Sequence, residues 1–252
     1  MDDLKLLRYS RHILLDELGL PAQERFDSAH VIIVGVGGLG NPAAQFLASA
    51  GIGRLTLCDA DAVDLTNLQR QILFSMQDVG LPKVEAAQGR LAAINPGVRI
   101  RTIAGRVDES RLRELAADAD VVLDCTDNFE TRHAINRACV ALRVPLVSGA
   151  AIRFDGQIAV FDARMAESPC YHCLFGHGEE LEETRCAVMG VFAPLVGIVG
   201  ATQAAEALKL IAGVGTSLAG RLLLIDTLAM QWREMRVPRD PACAVCMQRP
   251  GD

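Results

Sequence analysis

Short apolar runs alternate with segments of helical periodicity along the first 150 residues. The apolar runs predict strands at 31–34, 54–59, 120–125 and 145–150, and residues 98–103 predict a further strand. The segments between them predict helices at 42–50, 82–94, 109–117 and 130–142. Strands that are apolar without interruption are typical of a parallel sheet buried on both faces. The alternation therefore predicts an α/β fold, a Rossmann-like doubly wound sheet.

The pattern changes after residue 150. A further apolar run at 156–161 follows the fifth strand with no room for a crossover helix, so it predicts an antiparallel strand. A long apolar helix at 191–212 and a closing hairpin at 220–227 and 230–237 come next. Before the first strand, residues 4–18 carry apolar side chains at helical spacing, and we expect that helix to end at Gly19 and Pro21.

The first strand leads directly into a glycine-rich turn, Gly35-Val36-Gly37-Gly38-Leu39-Gly40. In this pattern Gly35 allows a tight turn, Gly37 lets backbone approach a phosphate, and Gly40 lets the next helix pack close to the strand. The N–H groups at the start of that helix then face an anion. The strand-to-helix context favours a nucleotide site, and the alternative is a turn with a purely structural role.

Three charged residues are candidates for the same nucleotide site. Asp59 ends the second strand 19 residues beyond Gly40, the spacing of an acid that binds a ribose hydroxyl; the alternative is a strand-end cap. Lys83 lies in the first turn of a helix, where a cation opposes the helix dipole. A bound polyphosphate would explain it, as would a side chain reaching solvent. Asp127 follows the fourth strand, at the sheet edge where ligands bind.

Composition and charge narrow the class of protein. Half of the 252 residues are hydrophobic and only 4% are aromatic, so small aliphatic side chains fill the core. The net charge of −6 argues against non-specific nucleic-acid binding. The acidic N-terminus is unlike a signal peptide, and we expect no apolar run of the roughly 18 residues that a membrane span needs. These features favour a cytoplasmic protein.

The cysteines form a second set of candidate functional residues. Without a secretory signal, the eight cysteines are expected to be reduced thiols or metal ligands. Two Cys-x-x-Cys pairs, Cys170 with Cys173 and Cys243 with Cys246, have the spacing of a tetrahedral zinc site. Four thiolates leave no open position for water, so we expect a structural zinc staple held by these four cysteines. A redox role for either pair is the alternative. The spacing does not suggest a function for Cys58, Cys125 and Cys139, which we expect to be buried packing residues.

Cys186 belongs to neither pair. It follows Arg185 in a polar segment, and a neighbouring cation raises the thiolate fraction of a cysteine. The residues alone leave a chemical role and an inert thiol equally open.

Several motifs, taken in their order along the chain, resemble the MoeB/ThiF/HesA family, the bacterial relatives of ubiquitin-activating enzymes. The motifs are Arg8-Tyr9-Ser10-Arg11, the glycine-rich turn, Asp59-x-Asp61, Asn67-Leu68-Gln69-Arg70-Gln71, Pro82-Lys83, Asp124-Cys125-Thr126-Asp127-Asn128 and the two Cys-x-x-Cys pairs. The resemblance extends from Arg8 to Cys246. The run from Pro145 to Arg153 is most similar to the branch that acts in molybdopterin biosynthesis.

The resemblance implies an ATP-dependent adenylyltransferase. Such enzymes use ATP and Mg²⁺ to transfer AMP to the C-terminal Gly-Gly carboxylate of a small ubiquitin-fold sulfur carrier, with release of pyrophosphate. The carrier would be MoaD-like, in molybdopterin biosynthesis, or ThiS-like, in thiamine biosynthesis. Because the chain stops soon after Cys246, a separate sulfurtransferase is expected to supply the sulfur.

The resemblance also implies a role for each motif. Arg70 and Lys83 would contact the phosphates, Asp127 would hold Mg²⁺, Asp59 would bind the ribose and Asn67 would complete the pocket. Asn128 would belong to the same nucleotide-binding set. The glycine-rich turn, with Gly35, Gly37, Gly38 and Gly40, would lie beneath the phosphates. Arg11 would reach into the neighbouring site of a homodimer. Cys186 aligns with a cysteine that forms a covalent link with the carrier in some relatives.

The resemblance further implies one adenylation domain over residues 1–252. N-terminal helices would take residues 1–28 and the nucleotide-binding half residues 29–151. Residues 152–252 would provide the antiparallel strands, the partner-binding face and the zinc site. Two other functions remain as alternatives: an NAD-dependent oxidoreductase with a zinc staple, and a scaffold that binds a ubiquitin-fold protein without catalysis. A dinucleotide enzyme would not need Arg70, Lys83 and Asp127 to converge.

Overall fold

A single mixed sheet runs through the part of the chain that the computed structural model describes, residues 1–176 and 189–247. Its strands are β1 (His30–Val34), β2 (Arg54–Asp59), β3 (Arg99–Ala104), β4 (Val121–Asp124), β5 (Leu146–Ile152), β6 (Asp155–Phe161), β7 (Arg221–Asp226) and β8 (Gln231–Arg236). Their spatial order is β3-β2-β1-β4-β5-β6-β7-β8. The first five strands are parallel and the last three antiparallel, as the sequence predicts.

The strand order reverses direction next to β1. From β1 the chain moves outward to β2 and β3, then returns to the other side of β1 as β4 and continues to β5. In such a sheet the loops that follow the strands on either side of this switch point separate and leave a crevice, where ligands bind. The glycine-rich turn after β1 and the loop after β4 both border this crevice.

Helices cover both faces of the sheet. They are α1 (Asp3–Arg8), α2 (Ser10–Ile13), α3 (Gly19–Ser28), α4 (Gly40–Ala50), α5 (Lys83–Ile94), α6 (Glu109–Ala116), α7 (Phe129–Leu142), α8 (Tyr171–Leu174) and α9 (Ala193–Ala212). One buried cluster packs α3, α4, α5 and α9 against the sheet. A second cluster packs α6, α7 and α8 against the opposite face. The core therefore has two apolar layers, one on each side of the doubly wound sheet.

The N-terminal segment differs from its prediction. The predicted helix over residues 4–18 is broken at Tyr9 into α1 and α2, and α2 already ends at Ile13. Gly19 begins α3 instead of ending the preceding helix, and Pro21 lies in the first turn of α3. A proline is tolerated in a first turn because the backbone N–H groups there have no partner within the helix. The prediction that Gly19 and Pro21 end a helix is therefore wrong.

Pro82 also lies one position from where the sequence places it. It is the N-cap of α5, with an extended conformation (φ −54°, ψ 131°), and Lys83 is the first helical residue. Lys83 thus sits at the very start of α5, where its backbone N–H donates to the carbonyl of Asp61.

The long helix α9 is the central helix of the C-terminal half. At 20 residues and a mean hydropathy of 1.4 it is long and apolar enough to cross a membrane, contrary to our expectation that no segment is. Half of that stretch is buried in this structure, where α9 packs on α4, β5 and β6. A helix in a protein core passes the same test of length and composition, so α9 is only weak grounds for a membrane span.

Candidate active site

The glycine-rich turn combines two crowded glycines with one open glycine. Gly35 has φ +89°, and a Cβ atom there would lie 2.6 Å from the Cys125 carbonyl oxygen. A Cβ atom on Gly40 would lie 2.0 Å from the carbonyl oxygen of Gly35. Gly37 is different, because the nearest described atom to a Cβ there is the Gln71 side-chain nitrogen at 3.6 Å. The turn therefore needs Gly35 and Gly40 to fold, while Gly37 presents open backbone toward a ligand.

Asp59 is attached directly to this turn. One of its carboxylate oxygens accepts from the Val36 N–H at 2.7 Å and the other from the Asp61 N–H at 2.8 Å. Burial raises the pKa of Asp59 above its usual 3.8, although Lys83 and the two backbone bonds act in the opposite direction. The structure thus holds an acid with two ordered oxygens at the turn, as a ribose-binding residue requires.

Lys83 places a buried cation beside that acid. Its Nζ atom lies 2.7 Å from a carboxylate oxygen of Asp61 and 4.0 Å from Asp59. The Lys83 side chain is 8% exposed and that of Asp61 is 70% exposed. The sequence left open whether Lys83 reaches solvent, and here it does not. A buried ammonium at the start of a helix needs nearby anions, which the two carboxylates supply.

Arg70 lies on the loop that follows β2. In this loop, residues 64–74 (the Arg70 loop), the Asn67 carbonyl accepts from the backbone N–H groups of Arg70 and Gln71. The Arg70 guanidinium donates to the Thr66 carbonyl at 3.1 Å, and the Asn67 side chain accepts from the Asp64 N–H at 3.4 Å. Gln71 is buried beside Gly37. The loop therefore brings Gln71, the residue after Arg70, to the glycine-rich turn, while the Arg70 guanidinium is bonded within its own loop.

Asp127 lies on the other side of the crevice. Its neighbour Thr126 is adjacent to Gly35, since a Cβ atom on Gly35 would lie 3.2 Å from the Thr126 nitrogen. Asn128 is the N-cap of α7 and its side chain accepts from the Thr131 N–H at 2.9 Å. Asp127 itself is exposed. It thus projects from a fixed backbone at the edge of the crevice, in a position where a cation could reach it.

Buried polar groups support the loop that carries Asp127. The Asp124 carboxylate is fully buried and accepts from the backbone and hydroxyl of Thr126 and from the Ser148 hydroxyl. The Arg132 guanidinium donates to the Thr126 carbonyl. Burial alone would lower the pKa of Arg132, but the nearby Asp124 carboxylate raises it above its usual value, so the guanidinium stays charged.

The described residues do not connect Arg11 to the crevice. Arg11 is exposed on α2, and no hydrogen bond or ion pair within residues 1–176 and 189–247 links it to the glycine-rich turn or to Asp127. Cys186 lies outside the described residues.

The four cysteines of the two Cys-x-x-Cys pairs do come together. Their sulfur atoms all lie within 4.8 Å of one another, with separations of 3.8 Å for Cys170–Cys173, 3.7 Å for Cys170–Cys243 and 3.4 Å for Cys173–Cys246. Four thiolates around a tetrahedral ion at 2.3 Å would be about 3.8 Å apart. A hydrogen bond from Cys170 lowers the pKa of the Cys173 thiol, which favours a thiolate. The donor set and its dimensions fit a metal ion.

The other described cysteines are packing residues, as predicted. Cys58, Cys125 and Cys139 are buried. Burial raises the pKa of the Cys58 thiol to about 12 and raises those of Cys125 and Cys139 as well. Protonated, buried thiols are poor nucleophiles.

Sequence reasoning missed several polar residues that build the crevice. The buried ones are Asn41, Asp124, Arg132 and Gln203. Asn41 could have been noticed, since it is a polar residue in an apolar helix that packs close to a strand. The bonds of Gln203 to the carbonyls of Asp124 and Val147 join α9 to β4 and β5, which the linear pattern does not reveal.

Comparisons with known proteins match this chain to one family along most of its length. The model of the ThiF family matches residues 9–245. The molybdopterin-synthase adenylyltransferase of Escherichia coli (strain K12) is 47% identical over 251 residues, which cover 98% of this chain and 99% of that protein. The sulfur carrier protein ThiS adenylyltransferase of the same organism is 46% identical over 246 residues, covering 98% and 97%.

Solved structures share the fold. The crystal structure of E. coli MccB with ATP superposes with a TM-score of 0.85 at 28% sequence identity, covering 95% of this chain and 73% of that chain. MccB has also been solved in complex with N-formylated MccA, with a TM-score of 0.84 at 26% identity, covering 95% and 74%.

Proposed function

Because this chain belongs to the ThiF family, we propose that it is an ATP-dependent adenylyltransferase that acts on the C-terminal carboxylate of a small ubiquitin-fold sulfur carrier. The observation that carries the proposal is the buried ammonium of Lys83, 4.0 Å from Asp59, beside a glycine-rich turn. A glycine-rich turn and an acidic residue alone would suit the binding of any dinucleotide. The added cations Lys83 and Arg70, with Asp127 across the crevice, suit a triphosphate and its metal.

The reaction is a displacement at the α-phosphorus of ATP. A carboxylate oxygen of the carrier forms a bond to that phosphorus, and the bond from phosphorus to the oxygen bridging to the β-phosphate breaks. Pyrophosphate leaves with the electron pair, and the carrier becomes an acyl-adenylate. Catalysis of such a displacement consists mostly of positioning and charge stabilisation.

The residues of the crevice divide these tasks. Asp59 accepts a ribose hydroxyl, and the glycine-rich turn, with its open backbone at Gly37, lies under the phosphates with Asn67 at the rim. Arg70 and Lys83 oppose the charge that develops on pyrophosphate. Asp127, beside Asn128, offers a hard oxygen ligand to Mg²⁺, which would neutralise phosphate charge when bound with ATP.

Lys83 has an anionic partner, Asp61, which a phosphate of ATP could replace when the nucleotide binds. Without nucleotide its ammonium is held by Asp61, whose side chain is mostly exposed. An arriving phosphate replaces one anion beside Lys83 with another, so the buried cation remains paired throughout. This arrangement keeps Lys83 in place before ATP arrives, which lowers the cost of ordering the site.

The carrier is proposed to be MoaD-like, in molybdopterin biosynthesis. A ThiS-like carrier in thiamine biosynthesis is the second candidate, since relatives named for each activity share 47% and 46% of this sequence. Incubation with each purified carrier, ATP and Mg²⁺, followed by intact-mass measurement, tests both. One carrier should gain the mass of AMP, and no gain with either would count against the proposed reaction.

The cysteine cluster is proposed to hold a structural zinc ion. Four thiolates close the coordination sphere, so the ion stabilises without taking part in catalysis. It would join the segment at Cys170–Cys173 to the C-terminal segment at Cys243–Cys246, and the affinity for metal would become local folding stability.

Further features are proposed from the family resemblance. The chain would be one cytoplasmic adenylation domain that forms a homodimer, in which Arg11 acts on the partner's triphosphate. A separate sulfurtransferase would supply the sulfur. Cys186 would act after adenylylation, so Cys186→Ser should leave AMP transfer intact and stop sulfur transfer.

A further inference from the structure

Asn41 lies where two halves of the candidate active site meet. It is in the first turn of α4, directly after Gly40, and its side chain is fully buried. Its amide nitrogen donates to the Val36 carbonyl at 2.9 Å, within the glycine-rich turn. Its amide oxygen accepts from the Leu73 N–H at 3.0 Å, within the Arg70 loop. One side chain therefore bonds to both parts of the crevice.

With the bond to Asn41, both the N–H and the carbonyl of Val36 are hydrogen-bonded to side chains. The Val36 N–H is held by Asp59 at 2.7 Å and the Val36 carbonyl by Asn41. A hydrogen-bonded path thus runs from the ribose acid Asp59, through Val36 and Asn41, to Leu73. Because every bond in this path is short and Asn41 is buried, it fixes the separation between the turn and the loop.

The bond to Leu73 fixes the loop close to Arg70. Leu73 is buried, so its N–H has no access to water and depends on the Asn41 oxygen. Arg70 is three residues earlier, and the intervening chain is tied by bonds from Gln71 to Asn67 and from Phe74 to Gln71. Arg70 and Leu73 therefore lie on one hydrogen-bonded stretch of the loop, so a shift of Leu73 would move the Arg70 backbone.

We propose that Asn41 is a positioning residue, which holds the Arg70 loop at the distance from the glycine-rich turn that lets Arg70 reach the bound triphosphate. The inference rests on the proposed function, since it takes Arg70 to be a phosphate ligand. It extends that function to a residue that does not touch the nucleotide. An apolar residue of equal size would fill the space but release both partners.

The test is the affinity for ATP with Mg²⁺, measured by calorimetry on the full chain without carrier. Asn41→Leu and Arg70→Ala should each weaken ATP binding by about tenfold or more, because a charge-assisted contact is lost in both. The double variant should bind no more weakly than either single variant, since both remove the same contact. Asn41→Leu with Lys83→Met should be additive.

A matched control separates positioning from general destabilisation. Gln23 is another fully buried amide, and it donates to the Ala50 carbonyl at the far end of α4. Gln23→Leu should lower the melting temperature as Asn41→Leu does, yet leave ATP affinity unchanged. Wild-type affinity in Asn41→Leu, or additivity with Arg70→Ala, would overturn the proposal.

A second variant decides the matter if Asn41→Leu fails to fold. In Asn41→Asp the ionised carboxylate still accepts from Leu73 but cannot donate to Val36, whereas the protonated carboxyl does both. Its ATP affinity relative to wild type should therefore rise as the pH falls, and a constant ratio would overturn the proposal. Failure of the proposed function would show separately, as wild-type protein that transfers no AMP to either carrier.

Discussion

The ammonium group of Lys83 lies 2.7 Å from the carboxylate of Asp61 and within 4.0 Å of Asp59. The Lys83 side chain is buried while Asp61 reaches into solvent, so the pair joins a fixed cation to a replaceable anion. A nucleotide phosphate can take the place of Asp61 without leaving a buried charge unpaired.

Lys83→Met should weaken ATP binding and shift its pH dependence. In the proposed site the ionised form of Asp59 binds the ribose of ATP, and burial already raises the pKa of Asp59 while Lys83 lowers it. Without Lys83 that pKa rises further, so the midpoint below which ATP affinity is lost should move to higher pH. Calorimetric titrations at several pH values measure this midpoint, and an unmoved midpoint would separate Lys83 from Asp59.

The contribution of Asp59 to folding stability depends on pH in the opposite sense to its contribution to ATP affinity. A raised pKa means that the folded state holds the Asp59 proton more tightly than the unfolded chain. The contribution of Asp59 to stability is therefore greatest below its usual pKa of 3.8 and is lost as the pH rises through the raised value. Chemical denaturation of wild type and Asp59→Asn across this range should show the difference between them changing with pH.

Gly40 and Gly37 should respond differently to replacement by alanine. Gly40→Ala must displace the Gly35 carbonyl, 2.0 Å from the new Cβ, and should cost about 1–3 kcal/mol of stability or more. Gly37→Ala has room, so it should fold with nearly the wild-type melting temperature but bind ATP weakly. Thermal melts and calorimetry on both variants check this. Equal stability losses would show that Gly37 is also structural.

The cysteine cluster should carry about one zinc ion per chain. Removal of the metal, or Cys246→Ser, should lower the melting temperature by roughly 5–10 °C, because metal affinity is stored as folding stability. Cys139→Ala, at a buried thiol outside the cluster, is the control and should keep its zinc. A metal-free protein that melts at the wild-type temperature would contradict the structural role.

Arg11 should act across the proposed dimer. Arg11→Ala and Asp127→Ala should each be inactive alone, whereas a mixture that exchanges subunits should regain AMP transfer. In the mixed dimer one site has its own Asp127 and receives Arg11 from the other chain. If mixtures that are shown to contain mixed dimers regain no AMP transfer, then Arg11 does not act in the partner's site.

The sequence predicts the sheet well because its signals are local. The central parallel strands β1, β4 and β5 are mainly apolar runs, whereas the edge strand β3 alternates apolar residues with arginines. The missing crossover before β6 correctly indicates an antiparallel strand. The sequence also anticipates that the Cys-x-x-Cys pairs come together. The N-terminal segment is less predictable, because the apolar spacing over residues 4–18 does not reveal the break at Tyr9.

Of the residues in the candidate site, the sequence predicts only those that belong to motifs. Asp59 and the glycine-rich turn are joined as expected, through the bond to Val36. The Lys83–Asp61 pair depends on the backbone between them, and the bond from Asn41 to Leu73 spans 32 residues. Such contacts follow from tertiary packing, so no local sequence pattern predicts them.

Asp127 gives the most direct test of adenylyl transfer. The measurement is exchange of labelled pyrophosphate into ATP, with Mg²⁺ and a carrier protein ending in Gly-Gly. Glu130→Gln, at a neighbouring exposed acid in the first turn of α7, is the matched control. Wild type and Glu130→Gln should show carrier-dependent exchange, and Asp127→Ala should show none. Full exchange by Asp127→Ala, or nicotinamide binding in place of any exchange, would contradict this prediction.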